Sequence, residues 1–574
     1  LALARTVNAK QCWPIAFLKL LDLGETSMLS LRAQSRLFFC GFIVSAAAAC
    51  CGFYSVSASP KSVEAPSGDI KLAISEGAEL ERSKKWLDAI EHYKTLQRKF
   101  PDNEQINYGL RRSKIHFAID RRYSDKSFYE NMVTMSETDC FGLYEEILSY
   151  VHNSYIDKVN TTYFVAHGTE SLYLALNNEK FLAYNLPKAN PNDVRQFRNV
   201  LKTRYWNHPI ETSGSERNLI VEVAKLAKQY TGLPAQIVIM EYVFGGFNSL
   251  DDYSSCMTPS KQQDMQNSIK GEFVGLGIEM KSEEGKGLLL ANVLSDSPAE
   301  EGGLKPGDYV VGIGNVDCRN MTTEEAAGLL TGKSGSRVKL SWNRPKVSKT
   351  MSGEFARRQV NVKSIPLAYI IDDTNHVGYI RLQGFQQTTS TELDRALYQL
   401  QQEGMKSVIL DLRGNPGGLL TAGVEVLDKF IDEGVLVSTR GREQQDNWQY
   451  SAHRLGTFKG DMVVLIDENS ASASEMVAGG IRDHQRGQLI GRNSYGKWSV
   501  QSIFTISHSV GLRLSTAKFY APKGGWYGKV GLAPDVEIEV EKDHILKINR
   551  EDLAQDQDII AALKILGESL YTKR

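Results

Sequence analysis

The sequence predicts an α/β protein in three parts: an α-helical N-terminal region, a small β-rich domain and an α/β core. Three observations predict it. Apolar residues recur at helical spacing over much of 70–268, as in WLDAIEHYKTLQRKFPDNEQ. Near residue 270 glycine becomes frequent and short β-branched runs appear: EFVGLGIEM, GLLLANVL, DYVVGIGN and RVKLSWN. From about 358 to 545 strand-like and helical runs alternate, the pattern of a largely buried sheet.

A chain of 574 residues is too long for one ordinary domain; about two to four are expected. With 42% hydrophobic and 24% charged residues, the composition is that of a soluble globular protein. A formal net charge of −1 argues against a surface built for nucleic acid. The first methionine is Met28, so residues 1–27 are expected to be an over-extended reading frame. From Met28 the chain carries Arg32 and Arg36, then an apolar run from Leu37 to Phe53, then small residues. This is the pattern of a secretion signal over 28–58, with Val56-Ser57-Ala58 placing the cut after Ala58. Retention as a membrane anchor, or lipidation at Cys50 or Cys51, is the alternative. Only Cys140, Cys256 and Cys318 follow the cut, too few and too scattered for a disulfide framework or a zinc site.

Residues 59–69 read as a linker. Over 70–135, Leu87, Ile90, Tyr93 and Leu96 lie at helical spacing and Pro101-Asp102 stops the helix. This segment resembles a tetratricopeptide hairpin, present about once, where repeat arrays need three or more units; it reads as a helical arm for self-association or for an adaptor. Residues 136–268 continue mainly helical, with a polar, irregular piece expected at about 186–218. The β-rich domain spans 269–347; its helix TTEEAAGLLTG is expected to be capped by Gly332. In the core (358–545), HVGYIRL, SVILDLRG, DMVVLIDE and QLIGRN read as strands, and TELDRALYQLQQEG and ASASEMVAGGIRDH as helices. Residues 546–574 end the chain in an amphipathic helix.

Three stretches carry chemistry. In NSASASEMVAGG (469–480) a strand ends, small residues turn the chain, and a helix starts near Ser472. A serine there sits at the positive end of the helix, and the amide of Ala473 is free to donate to an oxyanion. Serines also cap helices, so the stretch alone leaves both readings open. A serine nucleophile needs a base. His484 lies about three turns along the same helix, which points it away. Neither His453 nor His508 has a supporting pattern, and there is no G-x-S-x-G elbow. The segment GRNSYGKWSVQ (491–501) has the spacing of a phosphate loop, but Trp498 stands where Ser or Thr would hold magnesium. Lys497, between Tyr495 and Trp498, is instead a candidate base: burial lowers a lysine pKa towards the useful range. An exposed turn lysine is the plainer alternative. In LDLRGNPGGLL (410–420), glycines at a strand end let backbone approach a ligand, so Gly417 or Gly418 could donate a second oxyanion bond.

Together these segments resemble the C-terminal processing peptidases, or tail-specific proteases. That family pattern places a serine in an SASASE-like turn, a lysine 25 residues on in a GK turn, and a glutamine four beyond; Ser472, Lys497 and Gln501 match all three. DLRGNPGG, LDDYSSCMTP, GYIRLQGF and LRLSTAKFYAPKGG…GKVGLAPDVEI match flanking segments, and the likeness spans roughly 136–570. It implies a crotonase-like peptidase core with an inserted PDZ domain, a Ser472–Lys497 dyad with Gln501 orienting the lysine, and an oxyanion hole from Ala473 with Gly417 or Gly418. No cofactor or metal is implied. In the PDZ domain, the amides of Gly275, Leu276 and Gly277 would hold a terminal carboxylate. Ile278 to Met280 would pair with the peptide as an added strand. Ala326, Leu329 and Leu330 would line a pocket for an apolar last side chain. The expected partners are protein substrates with apolar C-terminal tails, near a membrane and in a periplasm, with a plastid lumen as the other compartment. Trp498 departs from the family's usual glycine; an indole there could narrow the cleft or deepen the lysine's shelter. A PDZ scaffold with an impaired core is therefore the rival reading.

Overall fold

The computed structural model describes residues 67–572 apart from 213, 284, 295, 322, 454–457, 541–552 and 554. The expected over-extended start, the signal at 28–58, the linker to residue 66 and Cys12, Cys40, Cys50 and Cys51 lie outside the described residues. The last residues of the expected linker already belong to a helix, Ser67–Arg82.

With Trp86–Lys99 and Glu104–Arg122 that helix makes the arm a three-helix unit, one more than a hairpin. Ile90, Tyr93 and Leu96 are buried as their spacing predicts. Leu87 is not: it is 48% exposed, and Ala89 takes the inward place. Tyr93 fits because its neighbours lack side chains; a Cβ on Gly77 or Gly109 would lie 2.5 Å from its ring. Asn103 starts the third helix by accepting from the amides of Gln105 and Ile106.

The helices Glu137–Ser154, Thr161–Ala175, Ser215–Thr231 and Ala235–Gly246 form a layer whose core runs into the arm at Ile115 and Ile119. On the other side it meets Leu512 and Leu514 of the strand Gly511–Tyr520. The piece expected to be irregular is helical over Pro191–Val200 and continues through a wider turn, Leu201–Tyr205. Its sparse apolar residues Val194, Phe197, Leu201 and Tyr205 are all buried, and Asn190 caps it ahead of Pro191.

The β-rich domain is an antiparallel sheet in the order Ile278–Glu283, Gly287–Val293, Tyr309–Ile313, Arg337–Asn343, Met351–Ala356. It outlasts the expected boundary at 347: Met351–Ala356 completes the sheet, and Arg358–Asn361 pairs with Glu272–Gly275 at the domain's neck. Its helix Thr323–Leu330 ends without a left-handed glycine; the Arg357 guanidinium donates to the Leu329 and Leu330 carbonyls in place of the expected Gly332 cap.

The core therefore begins at Leu367–Asp372. Six strands follow in the order Leu367–Asp372, Val377–Arg381, Ser407–Asp411, Asp461–Ile466, Gln488–Gly491, Val536–Glu537, and only the first pair is antiparallel. A second sheet holds Ser255–Met257, Gly511–Tyr520, Val435–Gly441 and Trp448–Ser451, with Ser499–Thr505 also paired to Gly511–Tyr520. The terminal helix Gln557–Thr572 covers the far face of the parallel sheet, packing Ile559, Ala562 and Leu566 with Ile409, Val463 and Ile490.

Candidate active site

Three parallel strands end side by side: Asp411 pairs with Leu465, and Leu465 with Ile490. The turns that follow them carry the candidate glycines, the candidate serine and the candidate lysine. Carboxyl ends of parallel strands are where open α/β sheets bind their ligands.

Beneath the first turn lies a buried charge network. Asp411 accepts from Tyr379, Arg381 and Arg413, and Arg413 reaches on to Asp556 and Asp558 beside the terminal helix. The two arginines hold the Asp411 carboxyl well below the usual carboxylate range, against the upward push of burial. This fixes the strand end from which Gly414, Gly417 and Gly418 emerge. Asn415 then ties three pieces together. Its Nδ2 donates to the Leu382 carbonyl, its Oδ1 accepts from the Gly417 amide, and its carbonyl accepts from Ala471 and Ser474.

Ser472 is the residue before the helix Ala473–Asp483, with φ 57° and ψ −115°. A serine in that region is strained by about 1–3 kcal/mol, and the surrounding bonds over-determine it. The two flanking serines are structural: Ser470 Oγ donates to the Leu412 carbonyl and Ser474 Oγ to that of Asn415. Of the three serines in SASAS, Ser472 alone is left half-exposed.

Glu475, fully buried, joins the serine turn to the lysine turn. Its Oε2 accepts from the amides of Ser472 (2.9 Å) and Lys497 (2.8 Å). Its Oε1 accepts from Ser494 Oγ (2.5 Å) and the Gly496 amide (2.7 Å). One carboxylate thus sets the backbone separation of two residues 25 positions apart. The sequence reading missed it, although Ser472 and Glu475 have the S-x-x-E spacing of a capping box.

Lys497 is half-buried, with Nζ 4.9 Å from the centre of the Tyr253 ring. Its pKa is lowered, first by burial and next by the charge of Arg513; Asp251 and Glu475 oppose the shift. Arg513 donates from Nε to the Tyr253 carbonyl, and Asp251 accepts from the amides of Tyr253 and Ser254. No ion pair of Lys497 occurs among the described residues. Tyr253 and Arg513 come from distant parts of the chain; they lie in the segments LDDYSSCMTP and LRLSTAKFYAPKGG that resemble the family, but nothing local to them shows that they meet at the lysine. Gln501 donates from Nε2 to the Ser499 carbonyl (3.1 Å), Ser499 Oγ (2.8 Å) and Ser515 Oγ (3.3 Å). Its Oε1 has no partner among the described residues, and no hydrogen bond among them joins the Lys497 side chain to Gln501 or to Ser472.

The glycine turn packs on the serine. A Cβ on Gly417 would lie 2.8 Å from Ser472 Cβ and 2.9 Å from the Ala473 nitrogen. The Gly417 amide is engaged by Asn415, so of the two candidate donors only Gly418 remains. Gly418 bridges Phe385 through its neighbours' groups (Phe385 N to Gly417 O, Leu419 N to Phe385 O), which turns its own amide the other way.

The lysine turn is no phosphate cradle. Its amides at Arg492, Ser494, Tyr495, Gly496 and Lys497 all donate within the protein. Gly491 and Gly496 serve close backbone approach; at φ +124° and +90°, a Cβ would meet Ile466 O at 2.1 Å and Gly531 N at 2.9 Å. Trp498 neither narrows the cleft nor shelters the lysine: its indole is 2% exposed in the core, stacked on Phe519 at 4.6 Å and edge-on to Tyr527 at 4.9 Å. His484 bonds the Val435 carbonyl, and His453 pairs with Asp428 at the surface.

In the β-rich domain, Gly275 ends the strand Glu272–Gly275 opposite Arg358, and Leu276 and Gly277 form the turn into the edge strand Ile278–Glu283. The Leu276 and Gly277 carbonyls are taken by Ala299 and Leu294, while their amides have no partner among the described residues. The edge strand faces the helix Thr323–Leu330, where Ser282 N meets Thr323 Oγ1 at 3.2 Å. Leu330 and Ala326 lie inside the domain core with Leu276, and Leu329 is 36% exposed.

Comparison with known proteins matches the α/β core and the β-rich domain separately. The model of Peptidase family S41 matches residues 376–538, and that of the PDZ domain residues 262–342. A carboxy-terminal-processing protease of Bartonella bacilliformis is 36% identical over 342 residues, 57% of this chain and 77% of that one. A carboxyl-terminal-processing protease of a Picosynechococcus species is 34% identical over 321 residues, 55% of this chain and 76% of that one. Among solved structures, a photosystem II D1 C-terminal processing protease is 22% identical with a TM-score of 0.38, over 71% of this chain and 94% of that chain.

Proposed function

This chain belongs to the carboxy-terminal-processing proteases, and from that membership we propose that it is a Ser–Lys endopeptidase acting on proteins that present their C-terminal tails to its PDZ domain. The observation that carries the reading is the shared hold of Glu475 on Ser472 and Lys497, with the serine in a strained conformation and the lysine half-buried with no counter-ion among the described residues.

Neutral Lys497 takes the proton from Ser472 Oγ as that oxygen attacks the scissile carbonyl. The oxyanion settles between the Ala473 and Gly418 amides. Protonated Lys497, held by Gln501 Oε1, then gives its proton to the leaving amine, and water attacks the acyl-enzyme with Lys497 again as base. The tail's carboxylate sits against the amides of Leu276 and Gly277, its chain added to the edge strand from Ile278, its last side chain between Leu329 and the Leu330 side of the core. Export, to a periplasm or as an anchored form, is part of the same reading and rests on the segment 28–58.

The scaffold reading relied on Trp498, and an indole packed in the core leaves it without an observation. The test is cleavage of an unfolded protein with an apolar C-terminus by the full chain, by Ser472→Ala and by Lys497→Ala. Cleavage lost in both variants is expected; cleavage retained in either removes the dyad.

A further inference from the structure

A cavity of about 900 Å³ lies between the third arm helix and the helix Pro259–Lys270 that leads into the PDZ domain. We propose that this cavity is the binding groove for an extended segment of the polypeptide substrate, and that the arm exists to form its wall. The inference rests on the peptidase reading and adds to it a site and a use for residues 67–122.

Position is the first argument. Arg513 lines the cavity and holds the Tyr253 carbonyl, and the Tyr253 ring lies against Lys497. A chain lying in the groove is therefore separated from Lys497 by Arg513 and the Tyr253 ring. The arm is also tied to this segment, because Lys114 bonds Asp252, next to Tyr253.

The surface of the cavity is the second. Ser255, Cys256 and Met257 line it and form an edge strand; one side pairs with Gly511–Tyr520, and no described strand pairs with the other. An unpaired edge suits an extended chain, which gains backbone bonds whatever its sequence.

Charge is the third. Most of the cationic wall is already answered within the protein: Arg111 by Glu170, Lys114 by Asp252, Arg122 by Glu241, Lys261 by Asp264, while Arg513 is held by the Tyr253 carbonyl. Such walls do not select a phosphate or a metal. They suit an uncharged main chain bearing varied side chains.

The test fills the groove from either wall. Ala118 and Ser268 are exposed residues on the arm and on the facing helix, outside the reacting groups. Ala118→Trp and Ser268→Trp in the full chain are expected to lower kcat/KM on a permanently unfolded protein by about tenfold or more, while turnover of a short acyl ester stays within about twofold. Unchanged cleavage of the protein by both variants, each with an unaltered melting profile, would overturn the groove. A binding measurement stands apart from the chemistry. An unfolded polypeptide carrying photo-reactive groups, added to the Ser472→Ala chain, should crosslink to 107–118 and 261–268. Crosslinks confined to the PDZ domain overturn the groove even if the peptidase reading holds. Absence of Ser472-dependent turnover of both substrates, with crosslinks in the groove, sinks the peptidase reading and leaves the groove.

Discussion

Replacing Glu475 by Gln tests the central claim about the site, because the expected loss can be worked from four hydrogen bonds. Two donors reach each carboxylate oxygen: the Ser472 and Lys497 amides on Oε2, Ser494 Oγ and the Gly496 amide on Oε1. A glutamine keeps one oxygen and sets an NH2 in place of the other. With the NH2 towards Ser472 and Lys497, two buried amides face a donor. With the NH2 towards Ser494, the hydroxyl can turn to accept, since it already accepts from Leu532 N at 2.6 Å; only the Gly496 amide is then orphaned. The second arrangement wins. It costs about 1–3 kcal/mol for one buried unsatisfied amide, plus the charge assistance lost on the remaining bonds, or about 3 kcal/mol in all. Activity should fall by about a hundredfold in kcat with KM little changed, because the serine and lysine turns lose their common anchor. Urea unfolding of the core and steady-state cleavage measure the two effects. A Glu475→Gln chain within about 0.5 kcal/mol of the parent and with undiminished kcat would refute the account.

Trp498→Gly, which restores the residue usual in the family, should destabilise the core by about 3–5 kcal/mol and yield no gain in turnover, since it empties an indole-sized space beside Phe519 and Tyr527; a more active, equally stable variant would return Trp498 to the cleft. The acid limb of kcat/KM should report a lysine below its ordinary value of 10.5. Arg513→Gln removes a neighbouring positive charge, eases protonation of Lys497 and so moves that limb to higher pH, while Arg513→Lys leaves it in place; a limb indifferent to Arg513→Gln would count against the electrostatic role. Because the depressed lysine penalises the folded state wherever it is charged, Lys497→Met should stabilise the protein near neutrality, with the gain fading as pH approaches 10.5 in thermal melts. Gly417→Ala forces a methyl to within about 3 Å of Ser472 and the Ala473 nitrogen; acyl-enzyme formation should fall by about a hundredfold or more with the fold intact by circular dichroism.

Much of this site was legible because its parts are strand ends. Small residues and glycines after apolar runs mark where strands break, and a parallel sheet brings those breaks to one edge. Ser472, Lys497 and the glycine turn could be placed on that logic. The resemblance supplied what local pattern could not, above all the pairing of that serine with that lysine. The rest depends on contacts that no local window contains. Tyr253 and Arg513 meet Lys497 only after the second sheet forms. Glu475 reads locally as a helix cap, yet it reaches across to another turn. Trp498 was misread because flanking residues do not say which way a side chain turns, and the core claims it. The segment around 191–205 looked irregular because its apolar residues are few, though Val194, Phe197, Leu201 and Tyr205 are buried. The PDZ domain runs on to Asn361 because its closing strands, MSGEFA and RQVN, are short and polar.

The hold of Glu475 on both turns also bears on safety. Ser472 and Lys497 share an anchor only once the strand Gln488–Gly491 has docked beside Asp461–Ile466. A nascent or partly folded copy has a serine and a lysine but no fixed distance between them. On the proposed dyad, the chain then has no cleaving power until its sheet is complete. If Ser472 and Lys497 react as proposed, proteolytic competence arrives as a by-product of sheet assembly, and a copy that loses the register of those strands disarms itself.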